Sequence, residues 1–190
     1  MKNQGERFMP IEKTVAPPLP NSVCQLSAPE QLLIWAFRRR VFGGEHWQLA
    51  SAELCRHLPS ERAERLLEAL DRFVVTACLC ARRTLTFHRL DCHCLGADEL
   101  SLLVIVAAAQ SHQTSLARAT SRWLVRAEAA DWLAEGGQVV ADVLAAQGWS
   151  LPIRQMRAPA ADPRHYRAAA QAGATPLNFH GGSGRNGYGS

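Results

Sequence analysis

The sequence predicts an all-α fold, an irregular bundle of about six helices with a short extended Cys/His loop. Three observations carry this. Apolar residues recur at helical spacing through most of residues 27–150. Helix start and stop signals, a Ser-x-x-Glu box and Pro and Gly residues, punctuate that pattern. Strand-like alternation is confined to residues 84–90, and no second stretch offers itself as a partner strand.

A chain of 190 residues with 47% apolar content suits one domain with tails. The expected division is a disordered Pro-containing arm at 1–26, a single helical domain at 27–153, and a disordered basic Ala/Pro/Gly-rich tail at 154–190. Residues 1–150 carry 16 basic and 16 acidic side chains. Beyond them five arginines face Asp162 alone, so the net charge of +4 belongs to the tail. A neutral body argues against a nucleic-acid-binding domain. The N-terminal residues lack the apolar segment of a secretory signal. The longest apolar run, 102–109, is too short to span a bilayer. A cytoplasmic protein with reduced thiols and no membrane partner is the expectation.

Ser27-Ala28-Pro29-Glu30 starts the first helix, about 29–42, with Ser27 as cap, Pro29 in the first turn and Glu30 completing a capping box. Arg38-Arg39-Arg40 falls near its end, where three cations suit the helix dipole better than they suit a phosphate site. Gly43-Gly44 stops it. A second helix at 45–58 ends at Pro59, with Trp47 as a core anchor and Cys55 as an ordinary core thiol. A third, about 61–83, places Ala63, Leu66, Leu70, Phe73, Val74 and Ala77 on one face. Its wet face carries Glu61–Arg65 and Glu68–Arg72 at favourable spacing. Cys78 and Cys80 point about 160° apart on such a helix. At least one of them is therefore read as a small buried hydrophobe.

Residues 84–90 form an extended connector. The next helix begins near 97 with Asp98 and Glu99 in its first turn, as the dipole favours. From Leu100 to Ala109 it is apolar almost all round, which puts it in the middle of the bundle. Helices at 115–125 and 127–147 follow. Gly136-Gly137 predicts a kink or split in the last, and Gly148 its stop.

The sharpest chemical feature is His88-x3-Cys92-x-Cys94. Thiolate and imidazole are the preferred zinc donors, and structural sites use four of them. Cys80, at the end of the preceding helix, is the first candidate for the fourth ligand, followed by His93, Asp91 and Cys55. Zinc is the candidate cofactor, in a structural role; soft ligands of this kind also suit Cu(I) or an iron–sulfur cluster. Cys94, just before a helix, is expected to be a favoured thiolate, which raises a second option of thiol-redox chemistry or redox sensing with Cys92. A third option is weak nucleic-acid binding through the tail. No hydrolase elbow, Walker loop, His-Glu-x-x-His or dinucleotide fingerprint is present. The leading expectation is a non-enzymatic, cytoplasmic interaction or regulatory protein with a protein partner, nucleic acid being disfavoured and a homodimer compatible.

Overall fold

The computed structural model describes residues 19–154. The first eighteen residues of the arm and the tail from 155 onward lie outside them. Among the described residues the architecture consists of α1 (Ala28–Phe42), α2 (Gly44–His57), α3 (Ser60–Leu79), α4 (Ala97–Gln110), α5 (Thr114–Leu124) and α6 (Ala130–Ala146). Short 3-10 turns at Val23–Gln25 and Ala127–Ala129 lead into α1 and α6. Extended pairing among these residues is limited to two isolated antiparallel bridges, Ser22 with Cys94 and Ala81 with Val125.

The apolar α4 is the central element. Every side chain from Asp98 to Ala109 is buried. It packs on α5, α6 and α1, while α3 lies along α6 and contacts α1 and α2. Phe37 of α1 and Phe73 of α3 meet with ring centroids 5.8 Å apart, joining the two sides of the core. Gly43, at φ 109°, lets α1 end and α2 start at the next residue. At the end of α6, Gly148 adopts φ 72°. The amides of Gly148 and Trp149 close on the carbonyls of Ala145 and Leu144, a Schellman stop.

The Gly136-Gly137 pair predicts a kink, yet α6 runs unbroken through it. The glycines serve packing instead. A Cβ on Gly137 would lie 2.7 Å from Ile105 Cγ2 of α4 and 3.5 Å from Phe73 Cε2 of α3. The α6 backbone thus presses into the crevice between two helices, where no side chain fits.

Residues on either side of 27–153 also contact the bundle. Residues 19–26 are not free of the body: Pro20 and Leu26 are buried. Backbone bonds from Val23 N to His93 O (2.8 Å) and from Leu95 N to Asn21 O (3.1 Å) tie the segment to the loop before α4. The sequence gives no periodic signal for this because backbone pairing needs no side-chain pattern. At the other end, Gln110 donates to Trp149 O and accepts from Leu151 N, both at 2.7 Å. Arg154 then makes a two-pronged ion pair with Glu30, at 2.7 and 2.9 Å. Arg154, counted by sequence with the basic tail, is a clamp on the start of α1.

Glu30 also accepts the amide and the hydroxyl of Ser27, at 2.7 and 2.8 Å. Burial pushes its carboxyl up, but the Arg154 guanidinium and the Ser27 bonds outweigh that and hold it below the ordinary value. A carboxylate lowered in the folded state stabilises fully above its unfolded pKa, about 4.3 for Glu. That stabilisation is lost as pH falls through the lower folded value. Glu30→Gln is therefore expected to be less stable than wild type at neutral pH, with the gap narrowing below about pH 4.3. Urea unfolding at a series of pH values checks this; a constant gap contradicts it.

Candidate functional site

The connector between α3 and α4 wraps around one buried guanidinium. Arg38, in the third turn of α1, is 3% exposed, and Glu99 of α4 is fully buried. Arg38 Nε donates to Glu99 Oε1 at 2.7 Å and Nη2 to Glu99 Oε2 at 3.0 Å. Nη1 donates to the carbonyls of Arg89 (3.2 Å) and Cys92 (2.5 Å), and Nη2 to that of Cys94 (2.6 Å). All five donors of the planar fork are used.

Glu99 is equally committed. Besides Arg38 it accepts the amide of His88 at 3.1 Å and that of Gly96 at 2.9 Å. The second bond is the reach-back of a capping box, with Glu99 three residues inside α4 and Gly96 at the cap. Its neighbour Asp98, 3% exposed, takes a fork from Arg83 at 2.6 and 2.8 Å and the amide of Thr86 at 2.8 Å. The two carboxylates at the start of α4 thus hold the connector at both its ends. A dipole explanation of Asp98 and Glu99 accounts for their position and misses this role.

The three consecutive arginines, read by sequence as complements of the helix dipole, separate in the structure. Arg38 turns inward to Glu99, Arg39 lies 4.6 Å over the Trp35 ring, and Arg40 pairs with Asp71 of α3. Consecutive residues on a helix point about 100° apart, so the three face different surroundings.

The loop brings some of the expected donors together. His88 Nδ1 and Cys92 Sγ stand 4.0 Å apart, and the Cys94 amide donates to Cys92 Sγ at 3.3 Å. Cys24, on the segment before α1, reaches within 3.9 Å of His93 Nδ1. Cys80 belongs to another junction. It caps α3, its side chain packs against the core, and its carbonyl accepts the Arg126 amide. Among the described residues no three His, Cys, Asp or Glu side chains are gathered as a ligand set for an ion. The expected quartet of His88, Cys92, Cys94 and Cys80 is therefore divided between two places.

All six cysteines are free thiols. Burial pushes Cys78 up to about 11, with Arg40 only partly opposing, as suits a small core hydrophobe. Cys55 is exposed rather than in the core. Cys94 is exposed and held above the ordinary thiol value, because its thiol hydrogen-bonds to Cys92 in the protonated form and charge on Cys92 disfavours a second thiolate. The sequence expectation was a thiolate favoured by the helix dipole; Cys94 sits two residues before the cap, outside the turn where the dipole acts.

A cavity of about 170 Å³ lies between arm, α1 and loop, lined in part by Val23, Trp35, Arg38, Leu90 and Cys92. Sites for drug-sized ligands begin at about 300 Å³. Fold and site together define a helical bundle whose longest connector is latched by a buried Arg–Glu pair. Comparisons with protein-family models, curated proteins and solved structures give no significant match.

Proposed function

We propose that this protein is a non-enzymatic interaction module of the cytoplasm, acting through contact with another protein. What supports this reading is the set of exposed apolar side chains on the outer helices. Trp132 and Val139 of α6 are 62% and 52% exposed and lie two turns apart on one face. Leu79 and Trp123 are 60% and 55% exposed where the ends of α3 and α5 are joined by the Ala81–Val125 bridge. Exposed tryptophans are the side chains most often found as anchors of protein interfaces. The buried charged side chains Glu30, Arg38, Asp98 and Glu99 are all bound to partners inside the bundle, which favours a scaffold over acid–base catalysis. Six free thiols agree with a reducing compartment. No helix among the described residues is long and apolar enough to cross a membrane. Structural zinc at residues 88–94 is not required for this role, since hydrogen bonds already hold the loop.

Site-specific photo-crosslinking in cells tests the reading. A photoreactive residue in place of Glu135, exposed on α6 between Trp132 and Val139, is expected to give a discrete protein adduct, weakened by Val139→Asp. The same residue in place of Arg65, on the exposed face of α3, is expected to give none. An adduct of twice the chain mass identifies the partner as a second copy. Equal yields at the two positions contradict the proposal.

A further inference from the structure

We infer that Cys92 and Cys94 form a reactive dithiol that exchanges with small, low-molecular-weight disulfides, Cys92 attacking and Cys94 closing the ring. The first ground is how the backbone places the two sulfurs. The Ser22–Cys94 bridge, with the bonds from Val23 N to His93 O and from Leu95 N to Asn21 O, keeps this stretch extended. Residues two apart on an extended chain point to the same face. The carbonyls of Cys92 and Cys94 both turn to Arg38, at 2.5 and 2.6 Å, which fixes the pair on the buried latch. On that frame the Cys94 thiol hydrogen-bonds to Cys92, so the two sulfurs are already neighbours. Two residues of extended chain span about 6.4–6.8 Å, the upper end of the Cα separations that a disulfide bridges, about 4.4–6.8 Å. The product disulfide therefore closes in place and, being exposed and stretched, is readily reduced again.

The second ground is that the two thiols are not equivalent. The Cys94 amide donates to Cys92 Sγ at 3.3 Å, and the Cys94 thiol adds a second bond to the same residue. Donors aimed at a sulfur favour its negative form, and that form is the nucleophile. Cys92 also lines the cavity of about 170 Å³ beside Val23, Trp35 and Leu90, whereas Cys94 does not. That space is too small for a drug-sized ligand and suits the few heavy atoms that flank the sulfur of a small disulfide. The step balances as follows. Cys92 gives its proton to solvent and attacks one sulfur of the small disulfide, whose S–S bond breaks, and one small thiol leaves carrying a proton. Cys94 then gives up its proton and attacks Cys92 Sγ of the mixed disulfide, and the second small thiol leaves. Two protein thiols are oxidised to one disulfide, and one small disulfide is reduced to two thiols. His88 Nδ1, 4.0 Å from Cys92 Sγ, takes no part in the step. The chain is modified once and does not turn over, so the interaction reading of the bundle stands apart from this site.

The test is incubation of the reduced full chain with hydroxyethyl disulfide, acid quenching at intervals, and peptide mapping by mass spectrometry. Wild type is expected to lose two hydrogens at Cys92–Cys94 with little mixed disulfide on the way. Cys94→Ser is expected to stop at a hydroxyethylthio adduct on Cys92, formed about 10-fold or more faster than on the exposed Cys55. In Cys92→Ser, Cys94 is expected to react no faster than Cys55, and Cys24→Ser is expected to behave as wild type. Adducts that form on Cys94 before Cys92, a rate at Cys92 equal to that at Cys55, or a main product that joins Cys24 overturns the inference. If Cys92→Ser fails to fold, judged by circular dichroism, the wild-type map and the Cys94→Ser adduct decide.

Discussion

Arg38→Met is expected to lose about 3–5 kcal/mol of folding free energy, the range for removing one partner of a buried ion pair. The methionine fills much of the same space, so the loss reports polar groups left without partners. Glu99, with no exposure, would lose the cation that offsets its carboxylate. The carbonyls of Arg89, Cys92 and Cys94 would lose the donor that gathers them. Glu99→Gln is expected to fall short of this, because the amide oxygen still accepts one of the two backbone amides, that of His88 at Oε1 or that of Gly96 at Oε2, and no uncompensated carboxylate is left inside. A typical domain has only about 5–15 kcal/mol in total, so Arg38→Met lies near the edge of folding. Urea unfolding, with the slope compared to detect partial structure, checks the size of the loss. A loss under about 1 kcal/mol, the scale of a surface pair, contradicts the latch.

Gly137→Ala is expected to destabilise by about 1–3 kcal/mol, although alanine is the better helix former by about 1 kcal/mol. The reason is steric. The added methyl would sit 2.7 Å from Ile105 Cγ2, on the most buried helix of the fold. Ile105 is β-branched and walled in, so relief requires α6 to move off α4. Gly136→Ala is the internal control. Its Cβ meets Phe73 Cδ2 at 3.5 Å, ordinary contact, so the propensity gain should show as a neutral or stabilising change. Thermal and urea unfolding of the two variants side by side give the contrast. Equal effects would mean the glycines act through helix propensity alone.

Much of the bundle is legible in the sequence because its signals are local. Ser27, Pro29 and Glu30 mark the start of α1, Pro59 separates α2 from α3, and the unbroken apolar run from Leu102 to Ala109 marks α4 as central. Each depends on neighbours within a turn or two. The latch is not legible for the opposite reason. Arg38 and Glu99 are 61 positions apart, and nothing local distinguishes Arg38 from Arg39 and Arg40. Glu99 gives half a signal, since Gly96-x-x-Glu before an apolar run has capping-box spacing, but a glycine cap has no side chain to advertise it. Arg154 and Glu30 are hidden in the same way by a separation of 124 positions. The loop donors are conspicuous by composition, yet spacing along a loop does not fix which side chains converge. His88 meets Cys92, Cys24 arrives from the arm, and Cys80 stays with α3 because the Arg126 amide and the core hold it there. The Gly136-Gly137 pair misleads because sequence registers the flexibility of glycine, and the fold uses its smallness.

The most direct measurement of the latch is native-state amide hydrogen exchange at His88 and Gly96, in wild type and in Arg38→Met. Both amides lie in a connector with no helix or sheet ladder to protect them, and both are bonded to the Glu99 carboxylate. Slow exchange in wild type, approaching that of the α4 amides and lost in Arg38→Met even where the helices stay protected, is the expected result. Exchange at these two amides as fast as in an open loop, or unchanged by Arg38→Met, would contradict the claim that a buried arginine and glutamate hold the connector in place.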